Sequence, residues 1–141
     1  MLSSRLEDYL ETIYLLSKRE DTVGVTEVAR ERGVAVPTVR SAIVKLQEAG
    51  MVRQQPYGKI ILTPKGKETG ASIYGVHKIL YHFLAEILLI DPRRAEKEAC
   101  RLEHDLSRET LKRLITFLET ISSCVESELG CLSKYRDLVL K

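Results

Sequence analysis

Residues 98–105 read EACRLEHD, and in eight positions they offer a thiol, an imidazole and several carboxylates. On a helix, Cys100, Glu103 and His104 fall at i, i+3 and i+4, which brings three donors of metal-ligand type onto one face. Thiolate, carboxylate and imidazole are all ligands of divalent transition metals. Asp8 and Glu11, one helical turn apart near the N-terminus, and His77 in mid-chain add three donors on two further predicted helices. Packed helices can point such groups inward at one site. Singly, each residue has a plainer reading. Asp8 and Glu11 suit the start of a helix, where the macrodipole favours negative charge. His77 reads as a satisfied polar residue, Cys100 as a small core residue, and Glu103 with His104 as a solvated face.

The elements that must carry these donors are mostly helical. SRLE at 4–7 fits a capping box, and Leu6, Leu10, Ile13 and Leu16 recur at helical spacing, which predicts a helix over residues 5–18. Thr26 is a candidate cap for a short helix ending near Gly33, and Pro37 suits the first turn of another running to about Glu48. Two short helices joined by a few residues describe a helix-turn-helix. Met51–Gln54 and Lys59–Leu62 are β-prone runs around a Pro-Tyr-Gly turn, so a hairpin wing follows directly. Thr63 and Pro64 open a long helix predicted to reach about Leu89. Asp91-Pro92 opens another through about His104, Ser107 caps one through about Ile121, and one or two short helices broken near Gly130 close the chain.

The fold class is therefore mainly α, an N-terminal winged helix-turn-helix over residues 1–66 followed by a helical part over 67–141. At 141 residues the chain needs no disulfide to hold a core, and its three cysteines, Cys100, Cys124 and Cys131, lack the paired short spacing of a disulfide framework or zinc ribbon. Reduced thiols, with Cys124 and Cys131 packed in the core or at a dimer interface, are the better reading. The longest apolar run, residues 85–90, is interrupted by Glu86, and the N-terminus has no signal-peptide core, so no membrane partner and a cytoplasmic location are expected.

The net charge of +2 says little until it is divided along the chain. Between Gly24 and Gly66 stand seven basic residues (Arg30, Arg32, Arg40, Lys45, Arg53, Lys59, Lys65) and three acidic ones. If the helix from Pro37 to Glu48 enters a DNA groove, Thr38, Arg40 and Ser41 are placed to meet bases, while Lys45, Arg53 and Lys59 suit phosphates. A winged helix used for protein contact is the alternative.

EDYLETIYLL at 7–16, PTV at 37–39, LTPKGKETG at 62–70 and EACRLEHDLS at 98–107 resemble the metal-dependent repressors of the diphtheria toxin repressor and manganese transport regulator family. The resemblance runs in order over nearly the whole chain. It implies a homodimer that binds a double-stranded DNA operator through the winged helix and holds a regulatory metal in the helical part, which also dimerises. Carried over by position, Asp8, Glu11, His77, Cys100, Glu103 and His104 fall on metal-ligand positions, and Thr38 and Ser41 on the recognition helix. Asp8 and Glu11, with no third SH3-like domain, look like the manganese branch; Cys100 in place of a glutamate looks like the iron branch. Mn²⁺ or Fe²⁺ is the expected effector, with Zn²⁺ or Co²⁺ as further occupants, since a thiolate shifts preference toward softer ions. Tyr81 and Glu96 stand where iron-type members have further ligands, and Glu11 leaves a binuclear arrangement open. His82 points about 140° away from His77 and is not expected to be a ligand.

Two rivals remain at this level: a metal-independent regulator that senses oxidants through Cys100, and a metal-dependent hydrolase. The hydrolase lacks any nucleophile motif or phosphate-binding glycine loop in the sequence.

Overall fold

A computed structural model describes residues 1–124 and 130–141, with residues 122–124, 131 and 132 described by their backbone alone. The chain forms two compact units, Met1–Tyr74 and Gly75–Lys141.

In the first unit, helix α1 (Ser4–Ser17) packs on α2 (Val25–Arg32) and α3 (Val36–Glu48). Leu10 and Ile13 of α1 meet Val28 of α2 and Val39, Ile43 and Leu46 of α3 in one core. Each large aliphatic side chain fully buried there contributes about 1.5–3 kcal/mol. Gly33, left-handed at φ 63°, ends α2, and the Val34 amide donates to the Ala29 carbonyl, so the helix-turn-helix corner takes a backbone conformation that favours glycine. Strands β1 (Val52–Gln54) and β2 (Ile60–Leu62) pair antiparallel as the wing, with Val52 opposite Leu62. Val23 exchanges both backbone hydrogen bonds with Ile60 at 2.8 Å, tying the α1–α2 loop to the hairpin.

Two predicted caps shift. The cap of α1 is Ser3, whose Oγ accepts from the Leu6 amide, so SRLE lies inside the helix and does not form its capping box. The cap of α2 is Gly24 in place of Thr26; the Gly24 amide donates to the Glu27 carboxylate at 2.7 Å, and starting at Val25 buries that side chain.

Helix α4 (Pro64–His82) carries the chain from the first unit into the second. Thr63 opens it as predicted: its Oγ1 accepts from the Gly66 amide at 3.0 Å and lies 2.6 Å from the Gly50 carbonyl, to which it donates. The helix does not continue regularly to Leu89. It stops at His82, a π-helical turn spans Phe83–Ile87, and Leu89 is left-handed at φ 59°. No proline or glycine marks this change in the sequence.

In the second unit, Asp91 caps α5 (Pro92–Asp105), accepting from the Arg93 and Arg94 amides at 3.1 Å each. Ala95 and Ala99 of α5 pack on Leu80 and Leu84, the small residues allowing close helix approach. Ser107 caps α6 (Arg108–Cys124), which extends past the predicted Ile121, and α7 (Cys131–Val139) follows Gly130. The expected packing of the Cys124 and Cys131 side chains lies outside the described residues. Among the described residues, no helix is long and apolar enough to cross a membrane.

Candidate metal centre and nucleic-acid interface

The outer side of α3 follows from what its inner side must bury. With Val39, Ala42, Ile43 and Leu46 committed to the core, Pro37, Arg40, Ser41 and Lys45 are left exposed and Thr38 half-buried. Arg53 on β1 and Lys59 beside β2 are exposed on the wing. The Ser41 hydroxyl donates back to the Pro37 carbonyl at 3.2 Å and keeps its lone pairs for an incoming donor.

Sequence reasoning missed two members of this face. Val44 is 55% exposed, and helical spacing places it beside Ser41, where an apolar group suits a thymine methyl. Arg5 lines a cleft of about 390 Å³ with Ser3, Thr38, Ser41 and Lys45. Burial of its neighbours would have exposed Val44 earlier; the sequence carries no signal that Arg5 lies near α3.

In the second unit, burying Ala95 and Ala99 turns the stripe Glu96, Cys100, Glu103 and His104 of α5 to an adjoining face. His77 on α4 meets that stripe at two points. Its Nε2 lies 2.9 Å from Glu96 Oε1, and its Nδ1 lies 3.6 Å from Glu103 Oε2, beyond ordinary hydrogen-bond length. The side chains of His77 and Glu103 are only 10% and 7% exposed. Cys100 Sγ and a ring nitrogen of His104 lie within 4.8 Å of each other. Cys100 is not in a disulfide.

Four of the six predicted ligands thus belong to the second unit. Asp8 and Glu11 belong to α1 of the first, where Asp8 Oδ2 accepts from the Arg32 guanidinium at 3.2 Å. His82 is half exposed and pairs with Glu86 at 3.1 Å.

The donors fit a divalent cation. A buried carboxylate facing a ring nitrogen is costly without positive charge nearby, and imidazole with carboxylate suits Mn²⁺ and Fe²⁺ while the thiolate extends the range to softer ions.

A winged helix-turn-helix with a basic outer face, joined by one helix to a unit rich in transition-metal donors, defines a metal-responsive DNA-binding regulator. Residues 1–60 match the N-terminal DNA binding domain of iron dependent repressors, and residues 63–128 match their metal binding and dimerisation domain. The chain belongs to this family of iron- and manganese-dependent transcriptional repressors, whose members bind divalent metals.

It is 41% identical over 119 residues to a helix-turn-helix transcriptional regulator of Methanocaldococcus jannaschii, covering 84% of this chain and 95% of that one. It is 30% identical to the transcriptional regulator MntR of Bacillus pumilus, covering 84% of each. Among solved structures, the manganese regulator SloR superposes with a TM-score of 0.69 at 32% identity, over 81% of this chain and 53% of that one. The chain spans about half the length of the diphtheria toxin repressors it also matches.

Proposed function

We propose that this protein represses transcription as a homodimer whose affinity for operator DNA rises when Mn²⁺ or Fe²⁺ is bound. The observation that carries this reading is the buried meeting of His77 with Glu103, with Cys100 and His104 on the adjoining turns of α5. Residues 1–66 would serve DNA and residues 67–141 metal and the dimer. Asp8, Glu11, His77, Cys100, Glu103 and His104 would hold the ion; Asp8 and Glu11 join the set on the family motif they match. A bound cation supplies the positive charge that lets these anionic donors stay together.

The chain's own residues divide the remaining work. Pro37 sets the start of α3 and so the angle at which Thr38, Arg40 and Ser41 are presented to base edges, while Lys45, Arg53 and Lys59 neutralise phosphates. In a homodimer, two α3 helices must meet half-sites about one duplex turn apart, roughly 34 Å. Ligands drawn from both units restrict how the winged part moves, so metal and DNA favour each other by the same factor.

The test measures binding to an operator selected from random duplexes, by fluorescence anisotropy under anaerobic reducing conditions. Mn²⁺ or Fe²⁺ is expected to tighten binding roughly 5- to 150-fold over chelator-treated protein. Equal affinity in both states refutes metal regulation. Glu103→Ala is expected to lose the metal response while retaining the weak metal-free binding.

A further inference from the structure

We infer that Glu96 is a positioning residue for the metal centre: it takes the Nε2 proton of His77 in a hydrogen bond and thereby leaves Nδ1 as the nitrogen that addresses the metal. The inference rests on the metal reading above and adds a role to a residue outside the proposed ligand set.

A carboxylate only accepts hydrogen bonds, so the 2.9 Å contact between Glu96 Oε1 and His77 Nε2 requires the proton on Nε2. In a neutral ring the lone pair then sits on Nδ1. That nitrogen is turned to the buried Glu103 carboxylate, 3.6 Å away. The two ring nitrogens point away from each other, so a carboxylate on Nε2 does not share an ion held at Nδ1. Exposure agrees with this division: Glu103 is 7% exposed on the inner side of the ring and Glu96 62% on the outer. The spacing on α5 enforces it, since Glu96 and Glu103 are seven residues apart on one stripe and flank His77 along the helix. A carboxylate behind a ligating imidazole fixes the tautomer, holds the ring plane and strengthens the nitrogen as a donor, and losing one typically weakens metal binding 10- to 100-fold.

The experiment compares the full-length parent with Glu96→Ala, Glu96→Gln and Glu103→Ala. Mn²⁺ affinity is read by competition with a fluorescent chelator, and the His77 tautomer by ¹⁵N NMR of the metal-free protein, well above the imidazole's ordinary pKa. The chain has three histidines, so His77 is assigned by substituting the other two in turn. The parent should show the Nε2–H tautomer. Glu96→Ala should lose that bias and bind Mn²⁺ roughly 10- to 100-fold more weakly. Glu96→Gln, whose amide oxygen still accepts from Nε2–H, should recover most of the loss.

An Nδ1–H tautomer in the parent overturns the proposal, as does parental affinity in Glu96→Ala. Glu96→Gln as weak as Glu96→Ala also overturns it, because the carboxylate would then be a ligand itself. If Glu103→Ala binds Mn²⁺ as the parent does, the metal reading fails with it; if Glu103→Ala is weakened and Glu96→Ala is not, only the positioning role falls.

Discussion

Gly66→Ala puts the seating of the wing to a quantitative test. A Cβ at position 66 would lie 1.9 Å from the Met51 carbonyl oxygen and 2.8 Å from its carbon. An ordinary carbon–oxygen approach is about 3.3 Å or more, so α4 and the foot of β1 must part by roughly 1.4 Å. The same oxygen accepts from the Thr63 amide at 3.0 Å and lies 3.1 Å from Thr63 Oγ1. Overpacking costs about 1–3 kcal/mol, and a weakened hydrogen bond adds about 1. Alanine's better helix propensity offsets nearly 1 kcal/mol of this, leaving a net loss of about 1–3 kcal/mol. For a unit the size of Met1–Tyr74, each kcal/mol is worth about 4–8 °C in Tm. Circular dichroism melts of the chelator-treated full chain should therefore show a drop of roughly 4–24 °C. Gly75→Ala, on the same helix with no described atom within 4 Å of the added methyl, should gain about 0.5–1 kcal/mol. Gly66→Ala melting at or above the parent's temperature would refute the packing argument.

Three further outcomes are expected. Lys45→Ala removes one phosphate contact per subunit, so the slope of log affinity against log salt for the homodimer should fall by about 1.8 with Mn²⁺ binding unchanged; an unaltered slope takes Lys45 off the phosphates. Arg32→Ala releases Asp8 from a partly exposed ion pair worth about 0.2–1 kcal/mol, and chelator competition should show Mn²⁺ binding up to about fivefold tighter. Unchanged or weaker binding would separate Asp8 from the metal. Val44→Ser should leave stability within about 0.5 kcal/mol yet change the base preferred at one operator position in a random-duplex selection; an unchanged preference removes Val44 from the bases.

Much of this architecture was legible because the punctuation was local. Gly33, Pro37, Thr63-Pro64 and Asp91-Pro92 mark helix ends through backbone chemistry that needs no tertiary context. The misplaced caps are of another kind. Ser3 and Ser4 offer the same hydroxyl, and nothing local in the sequence distinguishes them as the cap; at α2 the Gly24 amide finds the Glu27 carboxylate, and Val25 at the helix start is buried. The π-turn at Phe83–Ile87 has no breaker residue and arises where the helix must feed into α5. The α5 donor stripe could be read from spacing alone. Its division into the Glu96 and Glu103 sides of one imidazole could not, because that depends on how α4 lies against α5.

The tie at Thr63 has a consequence for how the wing can change. Its hydroxyl reaches the Gly50 carbonyl before β1 while its residue follows β2, so the hairpin is a loop closed at its base by contacts that owe nothing to the tip. The closure entropy of such a loop grows only logarithmically, about 0.6 kcal/mol for each doubling of its length. Residues 55–59 can therefore be lengthened or recharged at little expense to the fold. Sequence drift at the wing tip can then change the surface presented there while the scaffold that carries α3 stays fixed.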